Sequence, residues 1–586
     1  MAQGAAYPPD EVIQDRRAGS PAHGPHGAVV APHHAAAQAG LAVLRAEGNA
    51  VDAAIATNAA LSVVAAHSCG LGGDAFWLIW PGDGGPWERT PSDGDDSGAA
   101  KRTSAADNAG DSGARPTVPE RLVALNGSGR AGSLATLERF LEAGLSSMPV
   151  WSPLSITVPG AVRSWGDAHA RYGSLAWADL LAPAIDLADG FPVTAGWTSA
   201  IERATATFGP DGAWAQVFRP LGRPWREGHI ATLPALAATL RRLAAEGSSD
   251  FYEGDLARRQ ATFLAGAGAL ITTADLAGHS SSWERPIGHS YRGALATSHP
   301  PNSSGVIALI ALSILERFPA PSGPWDADAI HLAVEASRIA LQARERDLAD
   351  PASMAPNAVE LLLAPSHIAD LARRIDRRRS GSAVRAVAPR GGGTVFLAAA
   401  DQWGGVVSLI ESNWHGFGSG VVDPETGIAY QDRGVSFSLD PWHPNAIAPG
   451  KRVAHTLTPG MLFRRGRPWV AHGSMGGEVQ PQIYLQIVSS LVDRGIDVTE
   501  AVSLPRWGLQ TRSILEPPEH LLVENRYPTA VVADLRSRGH PVQLIEAFDA
   551  RVGYCHAIEI LRDERGDLAG FWAATDPRSE GRPAVF

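Results

Sequence analysis

Cysteine is nearly missing from this chain: its 586 residues include only Cys69 and Cys555. Two isolated cysteines cannot build a disulfide framework, and neither has the neighbouring His or Cys of a zinc site, so both are expected as small buried apolar residues. Charge is scarce as well, at 19% of residues against 45% hydrophobic. The balance of 50 basic to 61 acidic residues, net −11, speaks against nucleic acid or an anionic membrane as partner. The first thirty residues hold no apolar h-region, and no segment reads as a membrane span, so a cytoplasmic location is expected. No internal repeat is evident. What remains is a chain long enough to bury a large core, with a soluble enzyme as the default.

Hydrophobic periodicity organises most of it. An Ala-rich helical pattern runs from Ala35 to His67, broken at Gly48-Asn49, with Val51, Ile55, Ala59 and Val63 on one face of the second segment. Cys69-Gly70-Leu71-Gly72-Gly73-Asp74 then forms a glycine turn into an apolar strand, Ala75 to Trp80. Residues 81–120 are dominated by Ser, Asp, Gly, Ala and Thr and read as a disordered surface insertion. Helices are predicted over 160–171, 177–189, 233–246, 306–315 and 327–346. Later the pattern turns to strands: Thr394 to Ala400, a turn at Asp401 to Gly405, and Val406 to Glu411 read as a hairpin.

Thr394 opens that hairpin behind three glycines, Gly391, Gly392 and Gly393. If the Gly393–Thr394 bond is cut, the freed α-amine lies within reach of the Thr394 hydroxyl and can take its proton, so one cleavage supplies nucleophile and base. Glycines tolerate the unusual backbone of a scissile turn, and a β-branched residue holds its oxygen in few rotamers. A threonine that attacks an amide also needs donors for the oxyanion. His472-Gly473-Ser474-Met475-Gly476-Gly477 ends an apolar strand before a helix, and its Gly476 and Gly477 N–H groups are the candidates. Asn413 and His415, and His455 with Thr456, stand in stretches read as loops, and only the wider pattern of motifs makes them candidates. No cofactor or metal is called for.

Taken in order, many short motifs resemble the γ-glutamyltranspeptidase family of N-terminal nucleophile hydrolases from about Gly27 onward. They include Gly48-Asn49-Ala50-Val51-Asp52-Ala53-Ala54, His67 to Gly73, Thr157-Val158-Pro159-Gly160, Leu181 to Ile185, Pro300 to Gly305, Phe417 to Val421, Gly473 to Gly477 and Ala574 to Arg578. The resemblance implies a four-layer αββα sandwich made by a precursor that cuts itself before Thr394. Residues 1–30 would be a flexible segment, 31–393 the large subunit and 394–586 the small catalytic one, the two parts forming one αββα unit. Its partners would be a small amide substrate, with water or an amine as acceptor. Homo-oligomers of the processed heterodimer are left open.

The sequence departs from the family at the substrate clamp. The family's Thr-Thr-His-Tyr is here Thr394-Val395-Phe396-Leu397, and Ser128 falls where an arginine grips the glutamyl carboxylate, with Arg130 two residues on. Val435 aligns with the acidic residue that holds the glutamyl amine, leaving Asp432 nearby, and His455-Thr456 replaces a serine pair. Arg130, Asp432, Asn413, His455 and Thr456 are therefore the candidate substrate-binding residues. Three readings follow: a γ-glutamyl hydrolase or transferase with relocated clamps, an amidohydrolase or acylase for another amide, and an unprocessed scaffold.

Overall fold

The computed structural model describes residues 21–88, 117–323, 325–381, 392–513 and 516–586. Its centre is the hairpin expected from sequence, with strands Gly392–Asp401 and Val406–His415 pairing antiparallel from Ala400↔Val406 to Thr394↔Ser412. Neither strand shows polar alternation because both of its faces are buried. Val395, Leu397 and Ala399 pack into a helical layer, while Phe396, Ala398 and Ala400 pack against a second sheet.

Two seven-stranded sheets lie face to face. The hairpin sits inside one, flanked by Gly27–Val30 and by Asp74–Trp80, the latter followed by Val123–Gly127. The other sheet has Gly460–Arg464 and Arg467–Ser474 at its centre, with Cys555–Arg562 and Leu568–Ala574 to one side and Ala294–Ser298 to the other. Phe76, Leu78, Phe396, Met461, Phe463, Ile558 and Phe571 fill the space between them. Helices His34–Arg45, Ala50–Val64, Ala161–Tyr172 and Trp177–Asp189 cover the first sheet, and Gly305–Leu315, Ala327–Asp347 and Gln480–Asp493 cover the second. The layers are αββα, as expected.

The break at Gly48-Asn49 has a local cause. Asn49 caps the second helix by accepting from Val51 N and Asp52 N, and Asp52 reciprocates to Asn49 N at 3.1 Å, satisfying donors that a helix start leaves open. Every residue of Ala50–Val64 is buried, not only the expected apolar face. Its polar residues therefore need partners inside the core: Asn58 donates to Glu411 and accepts from Trp165 Nε1 at 2.8 Å.

Two expectations meet the structure only in part. Residues 1–20 of the segment expected to be flexible lie outside the described residues, but its remainder is built into the sheets: Ala22–Gly24 pairs with Leu568–Ala574, and the buried strand Gly27–Val30 pairs with the Thr394 strand. Residues 89–116 of the expected insertion lie outside the described residues, but its margins pack, with Trp87 Nε1 donating to Asp401 at 3.0 Å. Both cysteines are free and buried. Among the described residues, no helix is long and apolar enough to cross a membrane.

Candidate active site

Thr394 is 2% exposed and begins the regular part of its strand. The register slips between Gly393 and Thr394, so Gly393 faces Trp414 while Thr394 faces Ser412, and Asn413 is the extra residue of the bulge. A bulge re-aims the side chains beside it. Trp414 follows with a left-handed φ of 72°, a conformation that costs a non-glycine residue roughly 1–2 kcal/mol. Gly393 could not carry a side chain, since a Cβ would lie 2.3 Å from His415 O.

This geometry places one hydroxyl between nucleophile and scissile bond. Ser412 Oγ donates to the Gly393 carbonyl at 2.7 Å and accepts from Thr394 Oγ1 at 3.0 Å and Trp414 N at 2.9 Å. Arg433 Nη2 donates to the same oxygen at 2.6 Å, while Nη1 reaches Thr456 Oγ1 at 3.1 Å. The guanidinium lies over the Trp414 ring, 4.2 Å from its centroid. Arg433 is fully buried, and burial draws its guanidinium down to about 9. A cation on Ser412 makes its O–H a stronger donor to the carbonyl.

Gly476 and Gly477 stand at the turn between strand Arg467–Ser474 and helix Gln480–Asp493, with φ of 134° and 57°. Three residues earlier, Gly473 packs on Phe396, where a Cβ would approach Cδ2 to 2.3 Å; Phe396 is two residues from Thr394. Next to the turn, buried Glu478 pairs with Arg344 Nη2 at 3.0 Å, and burial pushes its carboxyl up to about 7.

The remaining candidates separate. Asn413 and His415 lie on a strand rather than in a loop. Asn413 points toward the glycine turn after His67: a Cβ on Gly73 would meet its Oδ1 at 2.8 Å, and neither side-chain polar atom has a hydrogen-bond partner. Asp432 is held by His415 Nδ1 at 2.6 Å, both buried. Arg130 donates to Gly450 O at 3.1 Å and lies 3.7 Å from Asp350. His455 Nε2 meets Asp74 Oδ2 at 3.3 Å, and Asp74 Oδ1 accepts from Gly129 N at 2.9 Å. Burial pushes Asp74 up to about 7 and holds His455 well below the usual histidine range. Behind the glycine turn, Glu411 accepts from Gly70 N at 2.8 Å, and burial pushes it up to about 8.

Ser412 and Arg433 were not among the sequence candidates. Ser412 had a signal, because continuing the hairpin register past Val406↔Ala400 sets it opposite Thr394. Arg433 had none: it sits on a short 3₁₀ turn, Arg433–Ser436. Its backbone N donates to Gln431 Oε1, while Gln431 Nε2 donates to Thr157 O at 3.1 Å. The guanidinium is held inward by Ser412, Thr456 and the Trp414 ring.

Comparison with known proteins agrees with the fold. The Gamma-glutamyltranspeptidase family profile matches residues 36–111 and 115–586. Oxamate amidohydrolase proenzyme of Klebsiella pneumoniae is 36% identical over 96% of this chain and 98% of its own. Glutathione hydrolase-like YwrD proenzyme of Bacillus subtilis is 35% identical over 94% and 97%. The crystal structure of cephalosporin acylase from Bacillus halodurans superposes with a TM-score of 0.82 at 33% identity, covering 100% of this chain and 99% of that one. The αββα layering, the motif order and these matches together make the chain a member of the γ-glutamyltranspeptidase family of hydrolases.

Proposed function

We propose that this chain is a self-cleaving N-terminal-threonine amidohydrolase whose nucleophile is Thr394. The observation that carries the reading is the Ser412 hydroxyl, which contacts both the Thr394 hydroxyl and the Gly393 carbonyl. In the first step Thr394 Oγ1 attacks the Gly393 carbonyl carbon, and Ser412, charged up by Arg433, stabilises the oxygen. The C–N bond breaks, leaving an ester on Thr394 Oγ1 and a free α-amine. Water then hydrolyses the ester, releasing Gly393 as a carboxylate. Residues 394–586 become the catalytic subunit, held by the sheet that Gly27–Val30 and Asp74–Trp80 share with it.

In turnover the α-amine takes the Thr394 hydroxyl proton as the oxygen attacks an amide, and the leaving amine receives it. The Gly476 and Gly477 N–H groups stabilise the tetrahedral oxyanion. Water closes the cycle in hydrolysis; an amine acceptor would make it a transfer.

The substrate is an amide other than a γ-glutamyl one. Arg130 and Asp432, the candidates for a relocated glutamyl clamp, are engaged with Gly450 and Asp350 and with His415. The names of two similar proteins, an oxamate amidohydrolase and a cephalosporin acylase, support that choice. Intact mass of the purified chain beside Thr394→Ala tests the reading. Two fragments meeting between Gly393 and Thr394, absent in the variant, support it; one uncut mass in both leaves a protein without its base, and the scaffold reading takes over. Saturable hydrolysis of a γ-glutamyl anilide at rates ordinary for a transpeptidase would refute the choice of substrate.

A further inference from the structure

The acidic groups around Arg433 are already engaged. Asp432 is taken by His415, Glu478 by Arg344, and Asp74 by His455 and the Gly129 N–H. Arg433 itself forms no ion pair with a carboxylate among the described residues; its partners are the hydroxyls of Ser412 and Thr456 and the Trp414 ring. Its Nε is buried without a hydrogen-bond partner. Asp74, Asp432 and Glu478 attract it only from beyond ion-pair distance; a buried guanidinium with no carboxylate in direct contact is costly, and the fork geometry of arginine suits one.

The uncut chain marks where that anion would sit. Gly393 is the acyl group of the self-cleavage, so its carbonyl carbon marks where a substrate carbonyl carbon meets Thr394 Oγ1; in turnover the substrate oxygen turns to the Gly476 and Gly477 N–H groups, and the place that the Gly393 oxygen holds on Ser412 is left open. Ser412 Oγ lies 2.7 Å from that oxygen and 2.6 Å from Arg433 Nη2, which puts the guanidinium two hydrogen-bond lengths from the acyl oxygen. Release of Gly393 after cleavage frees this position. Resting on the Thr394 reading, we infer that Arg433 receives a carboxylate borne on the acyl arm directly beside the scissile carbonyl, so that the substrates are monoamides of very short dicarboxylic acids, two or three carbons long. A γ-glutamyl group places its carboxylate too far along the chain to reach Arg433 while its carbonyl stays on Thr394.

The test is ammonia release by the matured enzyme from unbranched monoamides of two- to five-carbon dicarboxylic acids, each beside its neutral methyl ester. The two- or three-carbon anion is expected to show the highest kcat/KM, with its ester lower by roughly 10- to 100-fold, the scale of a hydrogen bond to a charged group. In Arg433→Gln the ratio of anion to ester is expected to collapse toward one, whatever the overall rate. A wild-type ratio near one, a preference for the five-carbon amide, or a ratio retained in Arg433→Gln would each overturn the inference and leave the Thr394 reading standing. If the variant fails to mature, the wild-type series decides alone. A wild type that intact mass shows to be uncut would remove the Thr394 reading and this inference with it.

Discussion

Ser412 stands across the hairpin from Thr394, and its hydroxyl touches both that nucleophile and the Gly393 carbonyl, at 3.0 and 2.7 Å. One side chain thus serves two atoms that must react with each other. Ser412→Ala removes the carbonyl's donor, so self-cleavage is expected to slow by about 10²–10³-fold, the usual effect of losing one oxyanion donor. Ser412→Thr keeps the hydroxyl and should restore cleavage. The uncut fraction over time, read by mass, checks both.

Gly476 occupies a φ of 134°, and a Cβ there would come within 2.6 Å of Val479 Cγ2. Gly476→Ala is expected to lower stability by about 1–3 kcal/mol and to reduce turnover, because the turn must shift to admit the methyl group. Thermal unfolding together with kcat measures both effects.

Arg130 is 40% exposed and its nearest carboxylate, Asp350, is 3.7 Å away. A pair this long, with its arginine partly exposed, contributes about 1 kcal/mol or less. Arg130→Ala is expected to mature normally and to change KM by less than roughly threefold. A much larger rise in KM would restore Arg130 as a substrate clamp.

Asp74 carries the pH prediction. Burial raises its carboxyl from the usual 3.8 to about 7 in the folded protein, so between those values the folded state holds a proton that the unfolded state has lost. Its contribution to stability is complete below about pH 4 and is lost as pH rises through about 7. Asp74→Asn keeps an oxygen for the Gly129 N–H and cannot ionise. The Tm of the wild type relative to Asp74→Asn is therefore expected to fall from pH 5 to pH 8; a difference that rises with pH would refute the assignment.

Legibility in the sequence followed the range of the forces. The Gly48-Asn49 break was readable because Asn49 and Asp52 cap the helix within one turn. The helix over 177–189 matched its periodic pattern at both ends. The hairpin was readable because its two apolar strands flank a short turn, and the same register would have named Ser412. The later part of the N-terminal segment expected to be flexible was misjudged because its short strands are stable only as members of sheets whose neighbours lie at the far end of the chain, Leu568–Ala574 for one and Gly392–Asp401 for the other. Asn413 was sought in a loop because a bulge, which composition does not announce, carries the strand past it.

By itself, the sequence determined many of the helices, the central hairpin with Thr394 at its head and the glycine turns, since propensity, capping and alternation act over a few residues; the αββα order of the layers came with the family resemblance. Tertiary structure alone decided what surrounds that threonine. It brought Arg433 onto Ser412 across 21 residues and His455 onto Asp74 across 381. It also turned Arg130 and Asp432 toward other partners. The physical reason is that a buried charge takes its meaning from the groups packed around it, and packing between layers joins residues whose separation along the chain says nothing of their distance in space.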